Sequence, residues 1–138
     1  MSVEKRRLEG ERWLVQAEDD LEAGKVLLAV GKHAQAAFMT QQAGKKALKG
    51  LWFALGLDPW GHSLARLVRD LPGEWGKRLS PLLSLALALD KLYIPTRYPD
   101  ALPGLTPKEA YTREEAEEAL AHAEVILERV RQAFAEVQ

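Results

Sequence analysis

HAQAAFMTQQAGKKALKGLWFAL, residues 33–55, is the stretch whose reading decides the fold. At 3.6 residues per turn, Ala37, Gln41, Gly44, Leu48, Leu51 and Leu55 fall on one narrow stripe, which predicts a helix over about His33 to Leu55. Two members of the stripe are out of character. Gln41 is polar where an apolar side chain is expected. Gly44 costs roughly 1 kcal/mol against Ala inside a helix. The neighbouring sector carries Gln42, Lys45, Lys46 and Lys49.

Upstream, Trp13, Ala17, Leu21, Gly24 and Leu28 recur at helical spacing, with Glu18, Asp19 and Glu22 on the opposite side. This predicts a first helix from about Glu4 to Val30, ended by Gly31-Lys32. Downstream, Gly56 to Gly61 is turn chemistry. A short helix follows, with Ser63 as N-cap and Leu64, Leu67, Val68 and Leu71 inward, and Pro72-Gly73 stops it. Ser80-Pro81 reads as an N-cap followed by proline at the first helical position. The helix it announces, Leu82 to about Leu92, is apolar almost all round and needs cover on more than one side. Tyr93 to Tyr111 holds Pro95, Pro99, Pro103 and Pro107, a density that predicts a long irregular connection. Thr112 with Glu115 forms a capping box, and Ala116, Leu120, Ala123, Leu127, Val130, Phe134 and Val137 then make an unbroken seam.

No segment alternates with period two, and there is no repeat, low-complexity tract or linker. The expected architecture is all-α: one domain over residues 1–138, an antiparallel up-and-down four-helix bundle with one short extra helix.

Composition narrows the function classes. Hydrophobic residues make up 47% and charged residues 28%, which is the globular class. Cysteine is absent, so disulfide frameworks and thiolate metal sites are excluded. The charged N-terminal residues carry no signal-peptide core, and the longest apolar run, Leu82 to Leu89, is too short for a membrane; the expectation is a cytoplasmic protein with no membrane partner. A net charge of −1 gives no global attraction for nucleic acid, so any anion site must be a local patch. The absence of asparagine and the wealth of Leu, Ala, Glu and Arg fit a thermophile.

Most chemistry fails on inspection. His33, His62 and His122 lie on three separate elements and do not make a metal site. There is no phosphate-cradling GxxxxGK[ST] loop, no GxGxxG turn and no Gly-x-Ser-x-Gly elbow, so no cofactor is expected. Glu114-Glu115 and Glu117-Glu118 complement the positive end of the last helix without catalysis. Two constellations survive. Lys45, Lys46 and Lys49, with Gln41 and Gln42 as donors, read either as a solvated basic face or as an anion site; Trp52 and Phe53 one turn on read as core or as a stacking surface. Arg97-Tyr98-Pro99-Asp100 offers a guanidinium fork and a ring on a proline-stiffened backbone, unless Asp100 pairs with Arg97 to organise the loop.

These pieces carry a family resemblance. Trp13, Ala17-Glu18-Asp19-Asp20-Leu21 and Ala23 open it. Ala36-Ala37-Phe38, Gln41-Gln42-Ala43 and Lys46-Ala47-Leu48-Lys49 continue it. Gly61-His62-Ser63-Leu64, Arg97-Tyr98-Pro99-Asp100 and Tyr111-Thr112 before Glu115-Ala116 complete it. In order and spacing the chain resembles the HEPN family (higher eukaryotes and prokaryotes nucleotide-binding) over nearly its whole length. The resemblance implies a helical bundle, commonly a homodimer, linked to nucleotides or RNA and often paired with a minimal nucleotidyltransferase in toxin–antitoxin fashion. Two departures stand out. Lys45 occupies a position where the family often has Glu. The ribonuclease branch carries Arg, four to six residues, then His, and after Arg97 that window holds Leu102, Pro103 and Gly104.

The leading expectation is therefore a non-catalytic dimeric module, with Gln42, Lys45, Lys46, Lys49, Arg97 and Tyr98 binding a nucleotide or other phosphate-bearing ligand. Gln41, His62 and Asp100 are its structural polar residues, and no catalytic or metal residues are assigned. A degenerate ribonuclease using Arg97 with a distant base such as His62, and a purely structural interaction protein, are the competing readings. The dimer expectation rests on the Leu82–Leu92 helix and on Phe38, Met39 and Phe53, which lie off the core stripe.

Overall fold

The structure, a computed structural model, describes residues 2–137, which among themselves form helices and turns and no strand. Three long helices dominate. Helix α1 spans Val3–Ala29, α2 His33–Ala54 and α7 Arg113–Glu136. Between α2 and α7 lie four short ones: α3 Leu64–Arg69, α4 Gly73–Leu79, α5 Leu83–Asp90 and α6 Pro107–Ala110.

The ends are set by local chemistry. The Ser2 hydroxyl accepts the Lys5 N–H at 3.1 Å and opens α1. Gly31, at φ +82°, turns the chain back into α2. Thr112 and Glu115 form the expected capping box at α7. The stripe predicted on α2 is buried from Ala37 to Leu51, and on α7 every member of the predicted seam is buried except the half-buried Leu120.

α1 and α2 run antiparallel in close contact, and α7 packs against both. Gly10 and Gly50 meet where α1 crosses α2; a Cβ on Gly10 would stand 2.5 Å from the Gly50 carbonyl oxygen. Gly44 has an equally specific reason. A Cβ there would meet Leu64 at 2.8 Å and Leu89 at 3.2 Å, so the missing side chain lets α3 and α5 seat on α2. Leu48, Leu51, Leu64, Leu79, Leu89, Ile126, Leu127 and Val130 are fully buried. Each such side chain contributes about 1.5–3 kcal/mol, whereas exposed ion pairs such as Arg131–Glu18 at 3.0 Å contribute about 0–1 kcal/mol each. The apolar seam therefore holds the bundle.

The fourth side of the bundle departs from the reading as one helix. Ser80 does not cap: it has helical angles, and its hydroxyl donates back to the Lys77 carbonyl at 2.9 Å, because the chain arrives already helical from α4. Pro72-Gly73 stops α3 but also opens α4, with Gly73 at φ +59°. A turn of 3-10 helix at Ser80–Leu82 joins α4 to the eight-residue α5. The proline-rich connection is irregular as expected, apart from a turn of 3-10 helix at Pro99–Ala101 and the four-residue α6. α6 forms because Pro107 occupies the first helical position, where its missing N–H costs nothing.

Asp90 ties this side together. Its carboxylate accepts from the Leu64 and Ala65 N–H groups at 2.6 and 3.0 Å and from the Ser63 hydroxyl at 2.8 Å, so the end of α5 caps the start of α3. No helix among the described residues is long and apolar enough to cross a membrane.

Candidate functional site

Beyond α5 the chain makes successive turns. The Thr96 hydroxyl donates to the Leu92 carbonyl, and Arg97 Nε donates to the Tyr93 carbonyl at 2.9 Å. These bonds fold Arg97 back over the Tyr93 ring. Its guanidinium lies 4.5 Å from the ring centres of both Tyr93 and Phe38, and 4.9 Å from that of Tyr98. Lys45 Nζ, from the middle of α2, stands 5.1 Å from the same Tyr93 ring centre. His62 stacks on Tyr93 at 5.1 Å. One tyrosine thus gathers Lys45, Arg97 and His62 from three separate stretches of chain.

The other nominated residues divide. Lys46 turns toward α1, where its Nζ lies 2.5 Å from the Asp20 carboxylate. Asp20 is buried, and its second oxygen accepts from Gln16 Nε2 at 2.9 Å. Lys49 stands 6.0 Å from the Trp13 ring centre, and Trp13 stacks on Phe53. Gln42 donates to Gln41 Oε1 at 2.8 Å, and the fully buried Gln41 Nε2 has no hydrogen-bond partner among the described residues. The Arg97–Asp100 pair is not formed: Asp100 is exposed and makes no ion pair among the described residues. The reason is the Arg97–Tyr93 hydrogen bond, which turns the guanidinium inward onto the rings. Trp52 is structural, its indole N–H donating to the Leu67 carbonyl at 2.8 Å. Phe38 is a platform for Arg97.

Sequence reasoning missed Tyr93 and Asp20. Tyr93 sits just past a helix end with no periodic signal, and Asp20 reads as one more charge among Glu18, Asp19 and Glu22. A single carboxylate one turn below Ala17 and beside the buried Leu21 was the available clue.

The electrostatics are lopsided. Lys45 is only 7% exposed and has no ion-pair partner among the described residues. Burial, together with repulsion from Lys49, Lys46 and Arg97, lowers its pKa to about 8, and Asp20 alone opposes the shift. The folded chain therefore holds this proton less tightly than the unfolded chain. Between about pH 8 and the ordinary value of 10.5 the unfolded state binds more protons, so this group makes stability rise with pH across that window. Below pH 8 the full penalty is present. We predict that Lys45→Met stabilises the protein at pH 7 by about 1–3 kcal/mol, and that the advantage over wild type shrinks toward pH 10. Paired thermal melts at pH 7, 8.5 and 10 test this; a constant difference would refute it.

Residues 10–133 match the HEPN domain family model. The chain belongs to the HEPN family. A protein of Methanocaldococcus jannaschii that bears the name putative toxin MJ1304 is 31% identical over 127 residues, covering 86% of this HEPN chain and 84% of that relative. Among solved structures, TT1696 of Thermus thermophilus is 44% identical with a TM-score of 0.82, over 90% of this chain and 97% of that one. ST0689, an archaeal HEPN homologue, is 36% identical with a TM-score of 0.77, over 91% and 98%. An HEPN domain protein of Thermotoga maritima, TM0613, is 32% identical with a TM-score of 0.68, over 90% and 98%.

Proposed function

We propose that this HEPN protein is a dimeric, non-catalytic module that binds a nucleotide or other phosphate-bearing ligand through Lys45, Arg97 and Tyr98. One observation carries the reading. Lys45 and Arg97 share the Tyr93 ring, neither has an ion-pair partner among the described residues, and the one carboxylate that acts on Lys45 is already taken by Lys46. Such a cluster is relieved by an anion. A charged hydrogen bond to phosphate contributes about 1.5–3 kcal/mol, against about 0.2–0.5 kcal/mol for exposed lysines one turn apart. Lys49 adds field to the site, while Lys46 serves chiefly to neutralise Asp20.

The non-catalytic reading rests on the ribonuclease spacing, since Leu102, Pro103 and Gly104 stand where that branch has His. The relative named as a putative toxin supports a toxin–antitoxin-like setting; a minimal nucleotidyltransferase as partner rests on the family resemblance alone. The dimer reading is supported by Leu87 on α5 and by Ile94 beyond it, which stay 46% and 44% exposed. Sedimentation at micromolar concentration is expected to give twice the 15.4 kDa chain mass.

Calorimetry with inorganic phosphate, adenosine and guanosine 5′-phosphates and a short single-stranded RNA tests the site. Binding is expected in wild type, weaker at higher salt, and lost in both Arg97→Ala and Lys45→Ala/Lys49→Ala. No binding in wild type, or binding that both variants retain, sinks the reading.

One observation favours a second reading, a degenerate ribonuclease. His62 and Arg97 both contact the Tyr93 ring, so an imidazole and the arginine share one platform without the usual spacing. RNA cleavage by purified protein, abolished by both Arg97→Ala and His62→Ala, would establish it.

A further inference from the structure

We infer that the cavity between the α1–α2 turn and the 96–108 connection is a second binding site, for an organic anion with an apolar body. The cavity measures about 680 Å³, a size suited to a small organic ligand. It does not include Lys45, Lys46, Lys49 or Tyr93, so it is distinct from the phosphate site, although Arg97 forms a wall of both.

Its lining explains the ligand class. Lys32, Arg97 and Lys108 border it, and no Asp or Glu does. In a chain with 20 acidic residues and 19 Lys and Arg, three cations without a carboxylate are an uncompensated positive wall. None of the three forms an ion pair among the described residues. Leu27, Phe38 and Met39 add an apolar floor, with Arg97 resting on the Phe38 ring. Side chains able to accept a hydrogen bond are few. The Thr96 hydroxyl donates to the Leu92 carbonyl but can still accept, so Thr96, Gln35 and His33 supply them. A nucleobase presents several donors and acceptors and would be poorly matched there. A hydrocarbon or simple aromatic body would lose nothing on entry and would gain contact with the floor. The charge pattern thus selects the acid group, and the floor selects the body.

The shared arginine makes the two sites interdependent. A guanidinium drawn toward an anion in the cavity leaves the rings it rests on, and Lys45 then faces the phosphate site alone. Occupancy of the cavity is expected to weaken phosphate binding, and phosphate to weaken occupancy of the cavity.

The probe is 1-anilinonaphthalene-8-sulfonate, an aromatic body with one sulfonate, titrated by fluorescence into the folded full-length protein, with circular dichroism confirming that each variant stays folded. One site per chain is expected. Met39→Trp, which fills the floor, should abolish binding. Lys32→Ala/Lys108→Ala, which alters only surface cations, should weaken it about tenfold. Lys45→Ala/Lys49→Ala should bind the probe as wild type does, so loss of the phosphate site and loss of this one are told apart. In Lys45→Ala/Lys49→Ala, which lacks the phosphate site, adenosine 5′-monophosphate should displace the probe no better than inorganic phosphate does. Absence of saturable binding, or binding indifferent to both cavity variants, overturns the site. In that double variant, displacement by adenosine monophosphate well below the phosphate concentration needed overturns the apolar-body assignment.

Discussion

Gly10→Ala is expected to destabilise the protein by about 1–3 kcal/mol, the range for overpacking a close contact, and to lower the melting temperature by roughly 4–12 °C. Helix propensity points the other way, since alanine is favoured over glycine inside a helix by about 1 kcal/mol. The crossing decides the sign. The new methyl would lie 2.5 Å from the Gly50 carbonyl oxygen, 2.9 Å from Ala54 Cβ and 3.0 Å from the Phe134 ring. The first two neighbours are backbone or bound directly to it, so neither can swing aside. α1 must move away from α2 and α7 together, loosening the most extensive helix contact in the molecule. The contact is reciprocal: a Cβ on Gly50 would meet the Gly10 carbonyl at 2.8 Å. Gly50→Ala should therefore cost a similar amount, and the double variant less than the sum, because helices once separated accommodate the second methyl. Thermal and urea unfolding of the three variants read this out. A melting temperature at or above that of wild type for Gly10→Ala refutes the close crossing.

Lys46→Ala carries the larger expected loss, about 3–5 kcal/mol, the range for removing one partner of a buried ion pair. Asp20 is 4% exposed, and without Lys46 its carboxylate keeps one donor among the described residues, the Gln16 amide. Desolvation of an unpaired carboxylate is the dominant cost, not the lost attraction. The double variant Asp20→Leu/Lys46→Met removes both charges and should recover most of the stability. If Lys46 were instead a free surface cation, Lys46→Ala would change stability by less than about 0.5 kcal/mol. Unfolding of the two singles and the double in one cycle separates these outcomes. Any loss of ligand binding in Lys46→Ala should be read after its stability, because the same substitution disturbs the α1–α2 packing that sets Lys45.

Local signals were legible in the sequence because the groups that create them lie within a turn or two of each other. The Thr112–Glu115 box, the Gly31 turn, the α2 stripe and the α7 seam all follow from spacings of three and four residues. Those spacings determined an all-helical chain, placed the long helices α1, α2 and α7 and marked Lys45 and Arg97 as residues with chemistry to explain, while the fourth main helix they announced is broken into α4, a 3-10 turn and α5. The remaining features arise from partners far apart in sequence. Gly44 looked like a weak point of α2 until Leu64 and Leu89 were seen to pack over it. Asp90 caps a helix that begins 26 residues earlier, and Asp20 pairs with a lysine 26 residues later. Ser80-Pro81 has a sound capping signal, yet the helix arriving from α4 overrides it. Tyr93 gathers Lys45, His62 and Arg97 only because α5 delivers it beside α2. Periodicity records which face of a helix is apolar but not which neighbour covers it, and the site is made of such neighbours.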